Sequence, residues 1–290
     1  MKRPDISIVT PSFNQGRYIE DAIVSIKEQM GDLDVEHIII DNCSTDITPE
    51  VAAKYPHVTF ISEPDEGQSD AINKGFLKAR GEIIGWLNAD DYYMPNTLQK
   101  VMQVMKDESI DGIYSNVRFV NGENEFTRNL VVHKPLKWLS LFHCYIPSTS
   151  FFFRRKIIDE GILIDKDMHI SMDKDFFANI LYSGYNIKFV NDIFASFRWH
   201  ESNKSLPNKE TNFRYRKEGL IILNRYSRFN FKVTPTNVKR YAMIDLSLLG
   251  IRKLLKMTNG LYGIDRYSRF NFKVTPTNVK RYAMIDLSLL

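Results

Sequence analysis

Features of secreted and membrane-spanning proteins are scarce or absent in this chain. It has two cysteines, Cys43 and Cys144, too few for the disulfide framework of a secreted scaffold. No stretch approaches the ~18 consecutive apolar residues of a membrane-spanning helix. The first strand-like run begins within a few residues of Met1, which leaves no room for a signal peptide. These absences predict a cytoplasmic protein, in which any association with the plasma membrane is peripheral and at its inner face.

Two glycine-rich phosphate-binding signatures are also missing. The chain contains neither a Gly-x-Gly-x-x-Gly sequence nor a loop that ends in Gly-Lys-Ser or Gly-Lys-Thr. The first signature is typical of dinucleotide-binding enzymes and the second of P-loop NTPases. Their absence argues against both classes.

The N-terminal third of the chain alternates between β-rich runs and helical stretches. Strands that alternate with helices indicate an α/β protein with a mostly parallel sheet, flanked by helices that form right-handed crossovers. The predicted strands are Ile6–Thr10, Val35–Ile40, Val58–Ser62 and Ile83–Leu87, and the predicted helices are Tyr18–Gln29 and Ser69–Ala79.

Polar segments follow the predicted strands. They are Thr10–Asn14, Asp41, Asp65 and Asn88–Asp91. The carboxyl ends of parallel strands lie on one edge of the sheet, and ligands of open α/β sheets bind at that edge. Four polar strand ends on one edge therefore predict a nucleotide site.

Two adjacent carboxylates, Asp90 and Asp91, follow the fourth predicted strand. Like charges side by side repel, and a divalent cation is the usual reason for such a pair. Mg²⁺ takes carboxylate oxygens and is held beside phosphates by only one or two protein carboxylates. The alternative is a solvated turn after a strand, because aspartate and asparagine favour turns.

Five short motifs follow one another along the chain. They are Thr10-Pro11-Ser12-Phe13-Asn14, Asp41-Asn42-Cys43-Ser44-Thr45-Asp46, Asp65-Glu66-Gly67, Asn73-Lys74-Gly75 and Asn88-Ala89-Asp90-Asp91. This ordered set resembles the family-2 glycosyltransferases of the GT-A fold, which is Rossmann-like. The resemblance covers roughly residues 4 to 205, and it implies a nucleotide-sugar-binding catalytic domain over residues 1–205.

The resemblance implies which residues bind a nucleotide-diphosphate sugar and a cation, Mg²⁺ or Mn²⁺. Asp90 would coordinate the metal on the donor diphosphate, with Asp91 supporting it. Asn88 would meet the donor ribose in place of the family's commoner aspartate, and Asp41 would read the base. The other implied nucleotide-sugar-binding residues are Thr10, Pro11, Phe13, Asn14, Asp65, Asp70, Asn73 and Ala89.

Two further carboxylates, Asp173 and Asp175, precede a predicted helix that runs through Leu181. In the family, a carboxylate just before such a helix is the general base, a role that can contribute ~10²–10⁴-fold to the rate. Asp173 matches the family position better, so Asp175 is expected to orient the helix start or the acceptor. The alternative is that both carboxylates only favour the positive N-terminus of the helix.

Phe197–Ser205 resembles the family's arginine-x-histidine segment, which implies a metal or diphosphate role for His200. A lone histidine is more often a packed or surface residue than a ligand. His133, His143 and His169 are therefore interpreted as packed or surface residues. Residues 147–154 lie where such enzymes build the acceptor side.

The resemblance implies an inverting glycosyltransferase that moves a sugar from a UDP-sugar donor to a hydroxyl group of a saccharide or lipid-linked saccharide acceptor. The implied setting is bacterial assembly of a surface polysaccharide or lipopolysaccharide, with a hexosyl or N-acetylhexosaminyl group transferred. Two alternatives stay open: a nucleotidyltransferase that makes a nucleotide-sugar, and a non-catalytic sugar-nucleotide-binding partner of an assembly complex.

A strongly basic, mainly helical extension is predicted over residues 206–290. It carries 17 Lys+Arg against 5 Asp+Glu, a net charge of +12, whereas residues 1–205 carry 22 against 30, a net charge of −8. Thr234-Pro235 is typical of a helix start, and the helix could run to Met257. A basic amphipathic helix predicts contact with an anionic membrane surface. The alternative is a helical pair packed on the domain. Nucleic-acid binding is not expected, because no recognisable module accompanies the charge.

The extension contains an internal duplication. Residues 225–249 and 266–290 are identical over 25 positions. Natural repeats drift, and solenoids generally need three or more units. The second copy is therefore not expected to carry function.

Overall fold

The computed structural model describes residues 3–204, 206–228 and 230–248. Its N-terminal elements are β1 (Ile6–Ser12), α1 (Ile19–Lys27), β2 (Val35–Asp41), α2 (Thr48–Ala53), β3 (Val58–Ser62), α3 (Gln68–Lys78), β4 (Ile83–Trp86), β5 (Tyr92–Tyr93) and α4 (Thr97–Met105). The later elements are β6 (Gly112–Asn121), β7 (Phe126–Leu130), β8 (Phe152–Arg154), α5 (Lys156–Asp159), α6 (Met172–Tyr182), β9 (Ile187–Trp199), α7 (Lys209–Tyr226) and α8 (Pro235–Ser247).

One mixed sheet of nine strands organises the described chain, in the order β3-β2-β1-β4-β8-β6-β9-β5, with β7 paired to β6. The first four strands are parallel, as predicted from the alternating pattern. The short strand β8 runs antiparallel to both β4 and β6, and β6 then pairs in parallel with β9. Because β1, β2 and β4 are neighbours and parallel, the segments after them lie on one edge of the sheet.

Aromatic side chains join this sheet to the helices on one face. The ring of Phe76 on α3 lies 5.4 Å from the ring of Phe153 on β8 and 5.8 Å from that of Phe176 on α6. All three side chains are fully buried. Offset or edge-on aromatic pairs of this kind add stabilisation beyond their buried area. The cluster therefore fixes α6 against α3 and the sheet.

A close approach of α3 to β1 gives a test of this packing. A Cβ at Gly75 would lie 2.2 Å from Cγ1 of Val9, a stiff β-branched residue. We expect Gly75→Ala to lower the free energy of unfolding by about 1–3 kcal/mol, the usual cost of overpacking. Chemical denaturation measures the change, and Lys78→Ala, exposed on the same helix, is the control. Adding Val9→Ala to Gly75→Ala should restore part of the loss; an unchanged stability of Gly75→Ala would contradict the packing.

The described part of the basic extension packs on the domain. Leu220 and Leu223 on α7 and Val238 and Tyr241 on α8 are buried in the core cluster that also contains Phe76 and Phe176. The described residues of 206–248 therefore form the packed helical pair of the alternative, and only the outer face of that pair can meet a membrane surface. The C-terminal part of the predicted helix, from residue 249 to Met257, lies outside the described residues, as does the second copy of the repeat. In the described ranges, no helix combines the length and the hydropathy needed to cross a membrane.

Candidate active site

A cleft of about 410 Å³ opens at the carboxyl ends of β1, β2 and β4, within the size range of small-molecule sites. Strand-end segments supply part of its lining, together with the start of α3, Ser148, residues 169–173 and residues from the end of β9 to Lys204. The lining residues that were predicted from the sequence are Pro11, Phe13, Asp65, Asn88, Ala89, Asp90 and Asp173.

The turn after β1 presents an aromatic face at the cleft. Phe13 lines the cleft and is 56% exposed. Asn14, with a left-handed φ of 51°, fixes this turn, because its Oδ1 accepts a hydrogen bond from the backbone N–H of Thr45 at 2.9 Å. Thr10 lies buried below the turn, with its Oγ1 3.0 Å from Nε2 of His37. An exposed ring in such a place can stack on a flat ligand.

Asp41 ends β2 and is fully buried. Its carboxylate accepts hydrogen bonds from the backbone N–H and the hydroxyl of Ser44 at 2.9 and 2.5 Å, and from the hydroxyl of Ser62 at 3.0 Å. The next residue, Asn42, lines the cleft, whereas Asp41 does not. The structure therefore places Asp41 where it holds the loop around Asn42.

The three polar residues predicted beside the donor occupy different environments. Asp65 lines the cleft and accepts a hydrogen bond from the backbone N–H of Gly67 at 2.7 Å. Asp70 is buried and forms ion pairs with Lys166 at 2.5 Å and Lys74 at 3.3 Å. Asn73 exchanges two hydrogen bonds with the backbone of residue 164, at 2.8 and 2.9 Å. The structure does not bring Asp70 and Asn73 to the cleft, because both fasten the segment around residue 165 to α3.

The side chain of Asn88 is held in one orientation after β4. Its Oδ1 accepts hydrogen bonds from Nε1 of Trp86 at 2.9 Å and Nε2 of Gln68 at 3.1 Å, and its Nδ2 donates to Asp91 at 3.1 Å. Asp91 is 1% exposed and also accepts a hydrogen bond from the backbone N–H of Arg198 at 2.8 Å. Burial, with the charge of Asp90, raises the pKa of Asp91 well above its usual range. Asp91 thus packs against β9 and does not line the cleft.

Asp90 lines the cleft and contacts the segment after β9. Its Oδ2 lies 3.0 Å from Nε2 of His200 and 3.3 Å from Nδ2 of Asn203. The His200 ring stacks near the ring of Tyr18, with centroids 4.7 Å apart, and its Nδ1 lies 2.9 Å from the hydroxyl of Ser202. Packing and hydrogen bonds therefore orient the imidazole toward the Asp90 carboxylate.

The Asp90 carboxylate fits a hard divalent cation that is bound at the same time by the phosphate oxygens of another molecule. Within the described ranges, no group of three or more His, Cys, Asp or Glu side chains could hold a metal alone. Mg²⁺ sites beside phosphates need only one or two protein carboxylates, the remaining positions being taken by water and phosphate oxygens. Asp90 can supply a carboxylate oxygen, which suits Mg²⁺ or Mn²⁺. His200 does not line the cleft, and its Nε2 faces the Asp90 carboxylate, so the structure places it where it orients that carboxylate.

Asp173, the second residue of α6, lines the cleft. Its Oδ1 accepts a hydrogen bond from the backbone N–H of Lys174 at 2.7 Å, and Sγ of Cys144 lies 3.5 Å from its Oδ2. Burial raises the pKa of Asp173 above the usual range of an aspartate. A raised pKa makes a carboxylate a stronger proton acceptor, as a general base requires.

Asp175 lies two residues after Asp173, about 200° around the axis of α6, so its side chain points to the opposite face of the helix. It is 2% exposed, does not line the cleft, and pairs with Nη1 of Arg225 on α7 at 2.7 Å. Burial raises the pKa of Asp175 to about 6, while the positive charge of Arg225 opposes that shift. The structure thus separates the two carboxylates, with Asp173 at the cleft and Asp175 in an interhelical ion pair.

The chain matches a known protein family. The sequence profile described as glycosyl transferase family 2 matches residues 7–180, more than half of the chain. The chain belongs to glycosyl transferase family 2. It is 26% identical over 244 residues to a chondroitin synthase of Pasteurella multocida, a match over 79% of this chain and 24% of the relative. The chain spans between about a quarter and two thirds of the length of its first-ranking relatives.

Solved structures confirm the GT-A fold. S. aureus TarS in complex with UDP-GlcNAc superposes with a TM-score of 0.63 at 16% identity, covering 97% of this chain and 79% of TarS. A mannosyltransferase from Pyrobaculum calidifontis in complex with GDP-Man and Mn²⁺ superposes with a TM-score of 0.59 at 18% identity, covering all of this chain and 82% of that enzyme. At these identities the superpositions establish the fold alone.

Several residues that line the cleft of this family-2 protein were missed by sequence reasoning. His169 was interpreted as an ordinary histidine, but the structure places it in the lining. Its position four residues before Asp173 was the available signal. Asn203 and Lys204 also line the cleft, and they follow His200 in the same polar run. The other missed lining residues include Gln68, Ala71 and Trp86, whereas Ser148 belongs to the segment 147–154 expected on the acceptor side.

Proposed function

We propose that this protein is an inverting glycosyltransferase that moves a sugar from a nucleotide-diphosphate donor, UDP-linked, to an acceptor hydroxyl. The observation that carries the proposal is a single cleft lined by both Asp90 and Asp173. The first carboxylate suits a cation beside the donor diphosphate, and the second suits removal of a proton from the acceptor. Family membership supports the reaction class.

The donor nucleotide lies along the strand ends in this proposal. The base stacks on Phe13 and lies near Asn42, the ribose lies beside Asn88, and the diphosphate lies near Asp90. His200 and Asn203 orient the Asp90 carboxylate, and Lys204 adds a positive charge to the lining. A bound Mg²⁺ or Mn²⁺ supplies Lewis-acid stabilisation of the charge that develops on the leaving diphosphate.

Asp173 takes the proton of the acceptor hydroxyl in the proposed reaction. The acceptor oxygen then forms a bond to the anomeric carbon from the face opposite the diphosphate, while the bond from that carbon to the phosphate oxygen breaks. The proton stays on Asp173, and the electron pair of the broken bond leaves with the nucleoside diphosphate. Attack from the opposite face inverts the anomeric configuration, so an α-linked donor gives a β-glycoside.

The acceptor that we propose is a saccharide or lipid-linked saccharide in surface-polysaccharide or lipopolysaccharide assembly, with a hexosyl or N-acetylhexosaminyl group transferred. The similarity to a bacterial chondroitin synthase supports a polysaccharide product. Family membership counts against a nucleotidyltransferase, which would make a nucleotide-sugar and release pyrophosphate. The presence of Asp173 at the cleft counts against a non-catalytic binding partner.

A thermal-shift screen of nucleotide-sugars, each with and without Mn²⁺, tests the proposal. A ligand that binds only the folded protein raises the melting temperature by mass action. We expect at least one UDP-sugar to raise it more with Mn²⁺ than without, and the same donor to support release of UDP when an acceptor is added. Stabilisation without any turnover across acceptor pools would favour the non-catalytic partner, and release of pyrophosphate would favour the nucleotidyltransferase.

We also propose that the outer face of α8 contacts an anionic membrane surface. Lys239 and Arg240 are exposed there, Lys232 is exposed in the segment just before the helix, and Met243 and Ile244 on the helix are 57% and 43% exposed. Each basic residue near an anionic surface adds ~1 kcal/mol, and the attraction decays within ~10 Å at 0.1 M salt. A helix with basic and exposed apolar residues suits an interfacial position.

Charge neutralisation tests this contact without disturbing the core. The triple variant Lys232→Gln/Lys239→Gln/Arg240→Gln should co-sediment with anionic vesicles ~10²-fold less tightly at low salt, since three charges are lost. Lys54→Gln/Lys78→Gln/Lys106→Gln, which neutralises three exposed residues of the catalytic domain, is the control. Equal vesicle binding by the two triple variants would show that α8 has only a packing role. Truncation after residue 205 is a poorer test, because it removes Leu220, Leu223 and Tyr241 from the core.

A further inference from the structure

A carboxylate of α7, Glu218, is buried against the segment that precedes α6. It is 4% exposed and accepts three backbone hydrogen bonds. The donors are the N–H groups of His169 at 3.1 Å, Ile170 at 2.9 Å and Ser171 at 2.7 Å. Hydrogen bonds to an ionised acceptor are about twice as strong as neutral ones. Both oxygens of Glu218 are therefore committed to fixing three consecutive residues.

The segment that Glu218 fixes is a wall of the cleft. His169, Ile170, Met172 and Asp173 all line it. The last bonded N–H belongs to Ser171, two residues before Asp173. Because α6 begins immediately after Ser171, the position of this backbone sets where the first turn of the helix, and with it the Asp173 carboxylate, enters the cleft.

A second contact from α7 holds the flanks of the same segment. Arg225 lies seven residues after Glu218, two helical turns along the same face. Its guanidinium pairs with Asp165 and Asp175, each at 2.7 Å. From α8, Tyr241 contacts Lys174, the residue after Asp173, with its hydroxyl 2.5 Å from the lysine Nζ. The helical pair therefore contacts residues on both sides of the proposed base: Asp165 and residues 169–171 before it, and Lys174 and Asp175 after it.

We propose that Glu218 is a positioning residue for the general base and that α7 is an integral part of the active site. Glu218 touches no reacting atom; it acts through the backbone of residues 169–171 on the placement of Asp173. The inference rests on the proposed function, in which Asp173 takes the acceptor proton. It assigns to the basic extension a catalytic role that its charge pattern does not reveal.

The first experiment compares Glu218→Gln with Glu210→Gln in the full chain. Glu210 is exposed on the same helix, so its variant makes the same charge change without touching the segment. In Glu218→Gln one oxygen becomes an NH₂ group that cannot accept a hydrogen bond from a backbone N–H. We expect kcat to fall about 10- to 100-fold, the scale of an ångström-sized misplacement. The Kd of UDP with Mn²⁺ should stay within about two-fold, because the strand-end lining is untouched, and Glu210→Gln should match the wild type in both values.

A double-mutant cycle with Asp173→Asn separates positioning from general destabilisation. If Glu218 acts through the base, adding Glu218→Gln to Asp173→Asn should lower the residual kcat no further. A further loss equal to that of the single variant would overturn the inference, as would an unchanged kcat in Glu218→Gln. If Glu218→Gln does not fold, Glu218→Asp, which keeps both oxygens but withdraws them by one methylene, is used in the same cycle with the same expectations.

The cycle also distinguishes failure of this inference from failure of the proposed function. Full turnover in Asp173→Asn alone would refute the assignment of the base, and with it both proposals. A large loss in Asp173→Asn combined with an additive or absent effect of Glu218→Gln would refute only the role of Glu218.

Discussion

Replacing Asp173 by asparagine is expected to lower turnover by ~10²-fold or more, the scale of lost general-base catalysis. Asparagine has nearly the same size as aspartate but cannot take the proton from the hydroxyl group of the acceptor. Because the carboxylate lies at the start of α6 and is not one of the strand-end residues proposed to bind the nucleotide, donor affinity should stay within a few-fold. Steady-state kinetics and titration of UDP with Mn²⁺ measure the two values.

Asp175→Asn is the informative comparison for that variant. Asp175 pairs with Arg225 and does not line the cleft. Its replacement should therefore destabilise the fold more than it slows turnover, which would be seen as a clear fall in melting temperature with a small fall in kcat. If Asp175→Asn instead lost turnover with normal donor affinity while Asp173→Asn remained active, the two roles would have to be exchanged.

The second large effect is expected at Asp90. Asp90→Ala removes the carboxylate proposed to hold the cation on the donor diphosphate, so the extra stabilisation by UDP with Mn²⁺ and nearly all turnover should disappear. Thermal shift with UDP, with and without Mn²⁺, and the rate of UDP release are the measurements.

Asp167→Ala is a suitable control for Asp90→Ala. Asp167 is an exposed aspartate outside the cleft lining, so its loss should leave both the Mn²⁺-dependent shift and turnover unchanged. An Asp90→Ala protein with wild-type Mn²⁺-dependent turnover would remove the central support for the metal assignment.

Local sequence patterns were sufficient for the parallel half of the sheet. The four predicted strands begin where the structure has them, because apolar runs bounded by turn residues are local signals. The antiparallel strand β8 and the long strand β9 were not predicted. Their pairing with β4 and β6 joins residues far apart in the chain, and such partners cannot be deduced from one segment alone.

The candidate site shows the same limit at the level of side chains. Strand ends could be located, but adjacent residues point in different directions, which the sequence does not resolve. Asp90 lines the cleft, whereas Asp91 packs against β9. Asp41 lies buried beside Asn42, which lines the cleft. Motif reasoning therefore found segments that border the cleft and could not say which residue of each segment faces it.

The role of the extension was predicted from its net positive charge. Charged side chains lie mostly on the exposed face, so the charge carries little information about the buried face. The buried face depends on Glu218, Leu220 and Tyr241, whose partners lie tens of residues earlier in the chain. A glutamate in a basic segment looks like a solvated residue. Only the fold shows that its carboxylate meets three backbone N–H groups at the start of α6.

The anomeric configuration of the product tests the central claim, inverting transfer from a nucleotide-sugar, most directly. The measurement is ¹H NMR of the product formed from an α-linked UDP-sugar selected by the thermal-shift screen, with Mn²⁺ and a saccharide acceptor. The account predicts a β-glycoside with one UDP released for each linkage, formed by the wild type and ~10²-fold or more slowly by Asp173→Asn. An α-glycoside, or a β-glycoside formed at an equal rate by Asp173→Asn, would contradict it.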